Sequence, residues 1–235
     1  MSTLSLAGYL IYEINFNPDG KIRSTLEPWF KSLIPVGFSG VIDGDDKLLP
    51  DWPTAKCYAN VPPGTPAPPL LVLDLENTLV TTVFDTQYGW RHVKRPGVDK
   101  FLKALSQYYE VVIFSENDLG SVDQILQAID PENLCHKLGM TAGEIVGTEN
   151  PPVVIKRLDY MNRDLSRIIL IDDNPVSYQK FPRNTLAVKP FTNANDTSDT
   201  TLLDLIPFLQ ALVHEDVRDF RECFDQLGQI ATVIS

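Results

Sequence analysis

Four short stretches of this sequence carry residues able to handle a phosphoryl group. They are Asp74-Leu75-Glu76-Asn77-Thr78, Ser115, Lys156 and Asp172-Asp173, in that order. A carboxylate such as Asp74 can attack phosphorus and form an aspartyl-phosphate. Glu76, two residues on, can protonate the leaving oxygen and later activate water. The Ser115 hydroxyl could bind a phosphoryl oxygen, and the Lys156 ammonium could neutralise charge on nucleophile and phosphate. Asp172 and Asp173 are hard oxygen ligands suited to Mg²⁺, and Asp74 and Glu76 could join them. Any one of these residues alone could equally be structural, because Asp after a strand often caps a helix or forms a turn. The ordered set is what argues for chemistry.

Each candidate falls where an apolar run ends. Leu70–Leu75, Glu110–Ser115 and Arg167–Asp172 are continuous apolar runs that suit strands buried on both faces, with a short fourth at Thr185–Val188. Helical spacing follows Pro96-Gly97 at Val98, Phe101, Leu102 and Leu105, and recurs over Ser121–Ile129. Two more amphipathic helices are predicted, Thr201–Val213, interrupted at Pro207, and Val217–Leu227. Gly139–Ile155 reads as a β-hairpin or irregular excursion with turn residues at its bends. This alternation predicts an α/β fold with a parallel sheet and helices on both faces. Ligands of such sheets bind beyond the strands' carboxyl ends. The first strand should lie between Val111–Phe114 and Ile168–Ile171, bringing Asp74, Ser115, Lys156 and Asp172 together. Equal strand parity should send Asp74 and Glu76 to one side.

The clearest boundary is Val61–Pro69, whose five prolines enforce an extended, non-packing linker. Residues 1–69 are therefore expected to form an extension and linker, and 70–235 the phosphatase-like domain.

Hydrophobic content of 43% and charged content of 22% are ordinary for a globular chain of 235 residues. The formal net charge of −11 argues against nucleic acid as a partner and would attract basic peptides. Cys57, Cys135 and Cys223 lie far apart and suggest neither a zinc site nor a disulfide framework. Leu4–Ile14 is apolar but broken by Glu13 and too short to span a bilayer.

Taken together, D-L-E-N-T-L-V, the F-S after the second strand, Lys156 and R-D-L-S-R-I-I-L-I-D-D-N-P-V-S-Y resemble the small phosphatases acting on the RNA polymerase carboxy-terminal domain. Those enzymes belong to the haloacid dehalogenase superfamily, with a Rossmann-like fold. One branch is more similar still, the Tim fifty family, the receptor subunits of the mitochondrial inner-membrane presequence translocase. Gly89-Trp90-Arg91 with Lys94-Arg95-Pro96-Gly97, Leu48–Asp51, Ser106–Glu110 and Leu205–Leu209 carry that likeness.

The resemblance implies a receptor at the mitochondrial inner membrane, facing the intermembrane space, that binds presequence peptides and other translocase subunits. It places peptide binding near Gly139–Ile155. It also implies a transmembrane helix ahead of the domain, of which Leu4–Tyr12 resembles the tail end; otherwise the membrane is reached through a partner complex. Phosphatases have Asp where this chain has Glu76, and an extra methylene displaces the acid by roughly 1 Å, enough to cost substantial rate. The resemblance therefore implies a pseudophosphatase with little or no activity, still able to hold Mg²⁺. The alternatives are a Mg²⁺-dependent phosphoserine/threonine phosphatase and a receptor-like structural subunit of a large mitochondrial complex.

Overall fold

The computed structural model describes residues 47–55, 58–87, 89–146 and 153–226. The Leu4–Ile14 stretch, Cys57 and residues 147–152 lie outside them. Nine strands and three helices have full bounds. They are β1 Leu70–Asp74, β2 Val80–Asp85, β3 Gly89–Lys94, α1 Val98–Leu105, β4 Glu110–Phe114, α2 Leu119–Ile129, β5 His136–Leu138, β6 Glu144–Val146, β7 Val153–Ile155, β8 Ile168–Asp172, β9 Thr185–Ala187 and α3 Thr201–His214. Residues 220–226 form a further helical stretch, α4, starting three residues later than Val217.

Five strands pair in parallel in the order β5-β4-β1-β8-β9. The β1 strand is central, between β4 and β8, as its uninterrupted burial requires. The chain winds outward from β1 through β4 to β5, then returns to the other side of β1 with β8 and β9. That reversal makes the carboxyl ends of β1 and β8 the topological switch point, where ligands of such sheets bind.

Both sheet faces are covered, but by different material. Leu71, Leu73, Val111, Ile113, Ile169 and Ile171 pack under α1, α2, α3 and α4. The opposite face, with Leu70, Val72, Val112, Phe114, Ile168 and Leu170, meets Leu48, Leu49, Leu158 and Met161. Those residues come from single 3₁₀ turns and from the segment ahead of the prolines. Residues 47–55 and 58–69 therefore do not stand off as a spacer. Leu49 and Tyr58 are buried, the Trp52 indole donates to the Thr65 carbonyl (2.9 Å), and the Glu110 amide donates to Pro69 O (3.0 Å). Nor is the proline stretch extended throughout: it turns at Pro62–Thr65, where the Thr65 amide and hydroxyl both donate to Pro62 O (3.2 and 2.7 Å).

Pro207 does not interrupt α3. It sits on the exposed face, where water can serve the carbonyl it leaves unpaired, while Leu202, Ile206, Leu209 and Leu212 hold the helix to the core. Gly97 ahead of α1 adopts φ +89, and a Cβ there would lie 2.7 Å from Leu203 Cγ, so α1 and α3 meet closely at this glycine. Buried Arg95 ties the same junction, donating to Asp199 (2.8 and 3.0 Å) and to Thr201 Oγ1 (3.0 Å). Between β1 and α1, the β2–β3 hairpin carries an exposed aromatic pair, Phe84 and Trp90, in edge contact at 5.1 Å.

Candidate functional site

Strand β1 delivers Asp74 to the carboxyl edge, next to the end of β8. Lys156 arrives from β7, which pairs with β6 in the predicted hairpin. Gly143, just before β6, permits this approach, because a Cβ there would lie 2.4 Å from Val154 Cγ1. The Lys156 amide donates to Ser177 O (2.8 Å), fixing the residue from both sides. Its ammonium then donates to Asp74 Oδ1 (2.7 Å) and Asp172 Oδ2 (2.6 Å). All three side chains are buried.

Neighbours orient the carboxylates. Asp172 Oδ2 also accepts from Ser177 Oγ (2.8 Å), and Oδ1 from the Asn174 amide (2.8 Å). Asp173 accepts from Thr78 Oγ1 (2.8 Å), so the first motif's threonine reaches across to the last motif.

Charge is unbalanced here. One ammonium serves Asp74 and Asp172, and a third carboxyl, Asp173, lies beside them. Burial pushes the Asp74 carboxyl well above the usual carboxylate range; Lys156 opposes this, while Asp172 and Glu76 add to it. Burial would also discharge Lys156, but Asp74 and Asp172 together outweigh it and raise the lysine above its ordinary value. Half-buried Asp173 and Glu116 are likewise raised, mainly by burial. The surplus negative charge can be met by a proton or by a cation.

A cation fits the donor set. Oxygens of Asp74, Asp172 and Asp173 lie within 4.8 Å of one another, and hard oxygens are what a small divalent ion requires. Glu76, expected among the ligands, is not in this group. Asp74 and Glu76 share the sheet edge but part company there: Asp74 turns toward β8 and Glu76 toward β4. Glu76 Oε1 accepts from Ser115 Oγ (2.5 Å) and Asn117 Nδ2 (2.8 Å), and Oε2 from the Glu116 amide (3.1 Å). The strand has ended by residue 74, so strand parity no longer governs Glu76. Ser115 is correspondingly engaged by Glu76, not by Asp74 or Lys156. Asn117, Asn174 and Ser177 were not singled out from the sequence as site residues; Asn174 and Ser177 stand in the D-D-N-P-V-S-Y stretch, where their spacing after Asp172 was the available signal.

The Gly139–Ile155 region contains β6 and β7 in antiparallel register, Ile145 opposite Val154. Ile145 is exposed, while Glu144 beside it is already paired with Lys180 (2.5 Å) and Arg157 (3.1 Å). A separate cleft of about 550 Å³ lies near Trp52, Asn162 and Arg163, away from Asp74.

Residues 69–221 match the family described as NLI interacting factor-like phosphatase. The chain is 48% identical over 177 residues to the mitochondrial import inner membrane translocase subunit TIM50 of Phytophthora infestans, covering 75% of this chain and 41% of that protein. It is 32% identical over 230 residues to subunit TIM50-A of Drosophila melanogaster, covering 94% of this chain and 65% of that protein. The chain thus spans between about two fifths and two thirds of the length of these relatives. Among solved structures, that of Fcp1, an essential RNA polymerase II CTD phosphatase, aligns with a TM-score of 0.45 at 17% identity, over 68% of this chain and 53% of that one.

Proposed function

The chain belongs to the NLI interacting factor-like phosphatase family, and from that premise we propose that it works as a receptor domain of the mitochondrial inner-membrane import translocase, on the intermembrane-space side. The observation that carries this reading is the 48% identity to a protein named as a subunit of that translocase. The phosphatase fold then serves as a scaffold that holds presequence peptides and neighbouring translocase subunits, with little or no turnover. Two features of the site support a scaffold: Asp74 is 2% exposed and bonded to Lys156, and Glu76 is held by three donors on β4's side. A net charge of −11 favours basic amphipathic helices, whose apolar face would dock near Ile145 in the Gly139–Ile155 region.

The test is titration of a fluorescent presequence peptide at low and high salt, beside a peptide of equal charge with scrambled amphipathicity. Micromolar binding that weakens but persists with salt, and that prefers the amphipathic peptide, is the expected result. Equal binding of both peptides reduces the interaction to charge attraction. No binding favours a fixed structural subunit instead.

The convergence of Asp74, Lys156 and Asp172 favours a second reading, a Mg²⁺-dependent phosphoserine/threonine phosphatase. Asp74, Asp172 and Asp173 would hold the ion, which when bound neutralises charge on a phosphoryl oxygen. Lys156 would keep Asp74 oriented. Turnover of an aryl phosphate with Mg²⁺ at roughly 1 s⁻¹ or faster would establish this reading; activity lost in Asp74→Asn and preserved or raised in Glu76→Asp would assign it to this edge.

A further inference from the structure

Ser115 Oγ–H, the Glu116 amide and the Asn117 side-chain amide all point at one place, and what they meet there is an anion from their own chain. Their bonds to the Glu76 carboxylate measure 2.5, 3.1 and 2.8 Å. Ser115 is fully buried, and its oxygen also accepts from the Asn117 amide (3.0 Å), which leaves its hydroxyl hydrogen for Glu76. The donors are held by bonds that do not involve Glu76. The Ser115 amide bonds Leu138 O (2.9 Å), and the Met140 amide bonds Asn117 O (3.0 Å), so β5 and the following turn hold this loop in shape. Convergent neutral donors at a rigid loop make a cradle for an oxyanion.

We infer that Glu76 is the resident occupant of an oxyanion cradle formed by Ser115, Glu116 N and Asn117, and that it excludes tetrahedral oxyanions such as phosphate from the edge beside Asp74. This deepens the scaffold reading above and rests on it for its biological sense, though not for its test. The extra methylene of Glu over Asp is what gives the carboxylate its reach. The same contact accounts for two features at once: Glu76 stands outside the Asp74–Asp172–Asp173 group, and Ser115 does not face Asp74. A phosphate approaching the cradle meets like charge where it needs donors, and the donors are already satisfied.

The experiment is titration of inorganic phosphate into the full chain and into Glu76→Ala, Glu76→Asp and Glu76→Ala/Ser115→Ala, read by calorimetry and by the NMR shift of the Glu116 amide. An intramolecular carboxylate competes at an effective concentration in the millimolar range or above, so the unaltered chain should show no saturation up to about 10 mM, and Glu76→Ala should bind roughly tenfold tighter or more. The Glu116 amide should move on loss of Glu76 and move again with phosphate. Adding Ser115→Ala should remove the gain. Equal binding by the unaltered chain and Glu76→Ala overturns the inference, as does a gain that survives in the double variant. If Glu76→Ala does not fold, Glu76→Asp, whose carboxylate ends a methylene short, carries the same expectation; a folded Glu76→Asp without gain also overturns it. Presequence binding by Glu76→Ala is measured alongside: its persistence or loss bears on the receptor reading alone, while phosphate binding bears on the cradle alone.

Discussion

Two buried ionic clusters sit at opposite ends of the same sheet and are assembled from similar parts. At the amino edge, Glu110 at the start of β4 accepts from Tyr58 Oη (2.8 Å) and twice from Arg163 (2.7 and 3.0 Å), with His136 Nε2 at 2.9 Å. At the carboxyl edge, Lys156 joins Asp74 and Asp172. Burial pushes the Glu110 and Asp74 carboxyls upward, yet the outcomes are opposite. For Glu110 the bonds from His136 and Arg163 outweigh burial and bring it down to about 2, whereas for Asp74 burial wins. One carboxylate met by a full set of donors makes a clasp. Two sharing one ammonium, with a third carboxyl beside them, make a site.

From that contrast, breaking the amino-edge cluster should cost most. Arg163→Ala leaves Glu110 buried without its guanidinium, with only Tyr58 and His136 still bonded to it, for about 3–5 kcal/mol and a fall in Tm of roughly 10 °C. Thermal unfolding followed by circular dichroism measures it, and a loss under about 1 kcal/mol would show that the cluster does not clasp.

Acid should reveal the same cluster next. A carboxylate held near 2 against an ordinary 4.5 contributes stability in full above its unfolded pKa and loses it as pH falls toward 2. The contribution is about 3 kcal/mol. In urea unfolding, the gap between the native chain and Glu110→Gln should narrow by about half between pH 6 and pH 3.

The carboxyl edge should respond with the opposite sign. With its native pKa raised, Asp74 takes up protons on folding, so its contribution falls as pH rises from the unfolded value toward the native one. Asp74→Asn should therefore stabilise the fold at pH 7 by about 1–2 kcal/mol. Mg²⁺ at ten times its Kd should add about 1.4 kcal/mol to the unaltered chain and little to that variant. A destabilised Asp74→Asn would mean that the two edges are alike.

The smallest effect should come from the supporting shell. Ser177→Ala removes one bond to Asp172 Oδ2 and should cost about 1 kcal/mol, with a weaker Mg²⁺ response, both readable in the same melts.

The buried strands and their order around β1 were legible because apolar runs between charged ends permit little else. The placement of Asp74, Lys156 and Asp172 followed, since each belongs to a strand or leaves one directly. Glu76 was not legible: it lies past the strand end, and its direction depends on donors forty residues away in β4's loop. The amino-edge cluster escaped for a related reason, as Tyr58, Glu110, His136 and Arg163 share no spacing. The β2–β3 hairpin is half exposed and lacks a strong turn signal at Thr86-Gln87, so its pattern is faint. At Pro207, packing of Leu202, Ile206 and Leu209 overrode a local rule.

The docking of residues 47–55 and 58–61 also sets an order of events. Asn162 Nδ2 reaches Leu49 O (3.1 Å) and Arg163 reaches Pro50 O (2.9 Å), each across 113 positions. A chain made or delivered amino end first therefore presents Leu48, Leu49 and Tyr58 long before their partners exist, and closing so long a loop is slow. During that interval the segment is an apolar handle that a chaperone could hold. Its release would be timed by the appearance of Asn162 and Arg163, so a variant weakened at Arg163 should stay on such a chaperone longer than one weakened at Lys156.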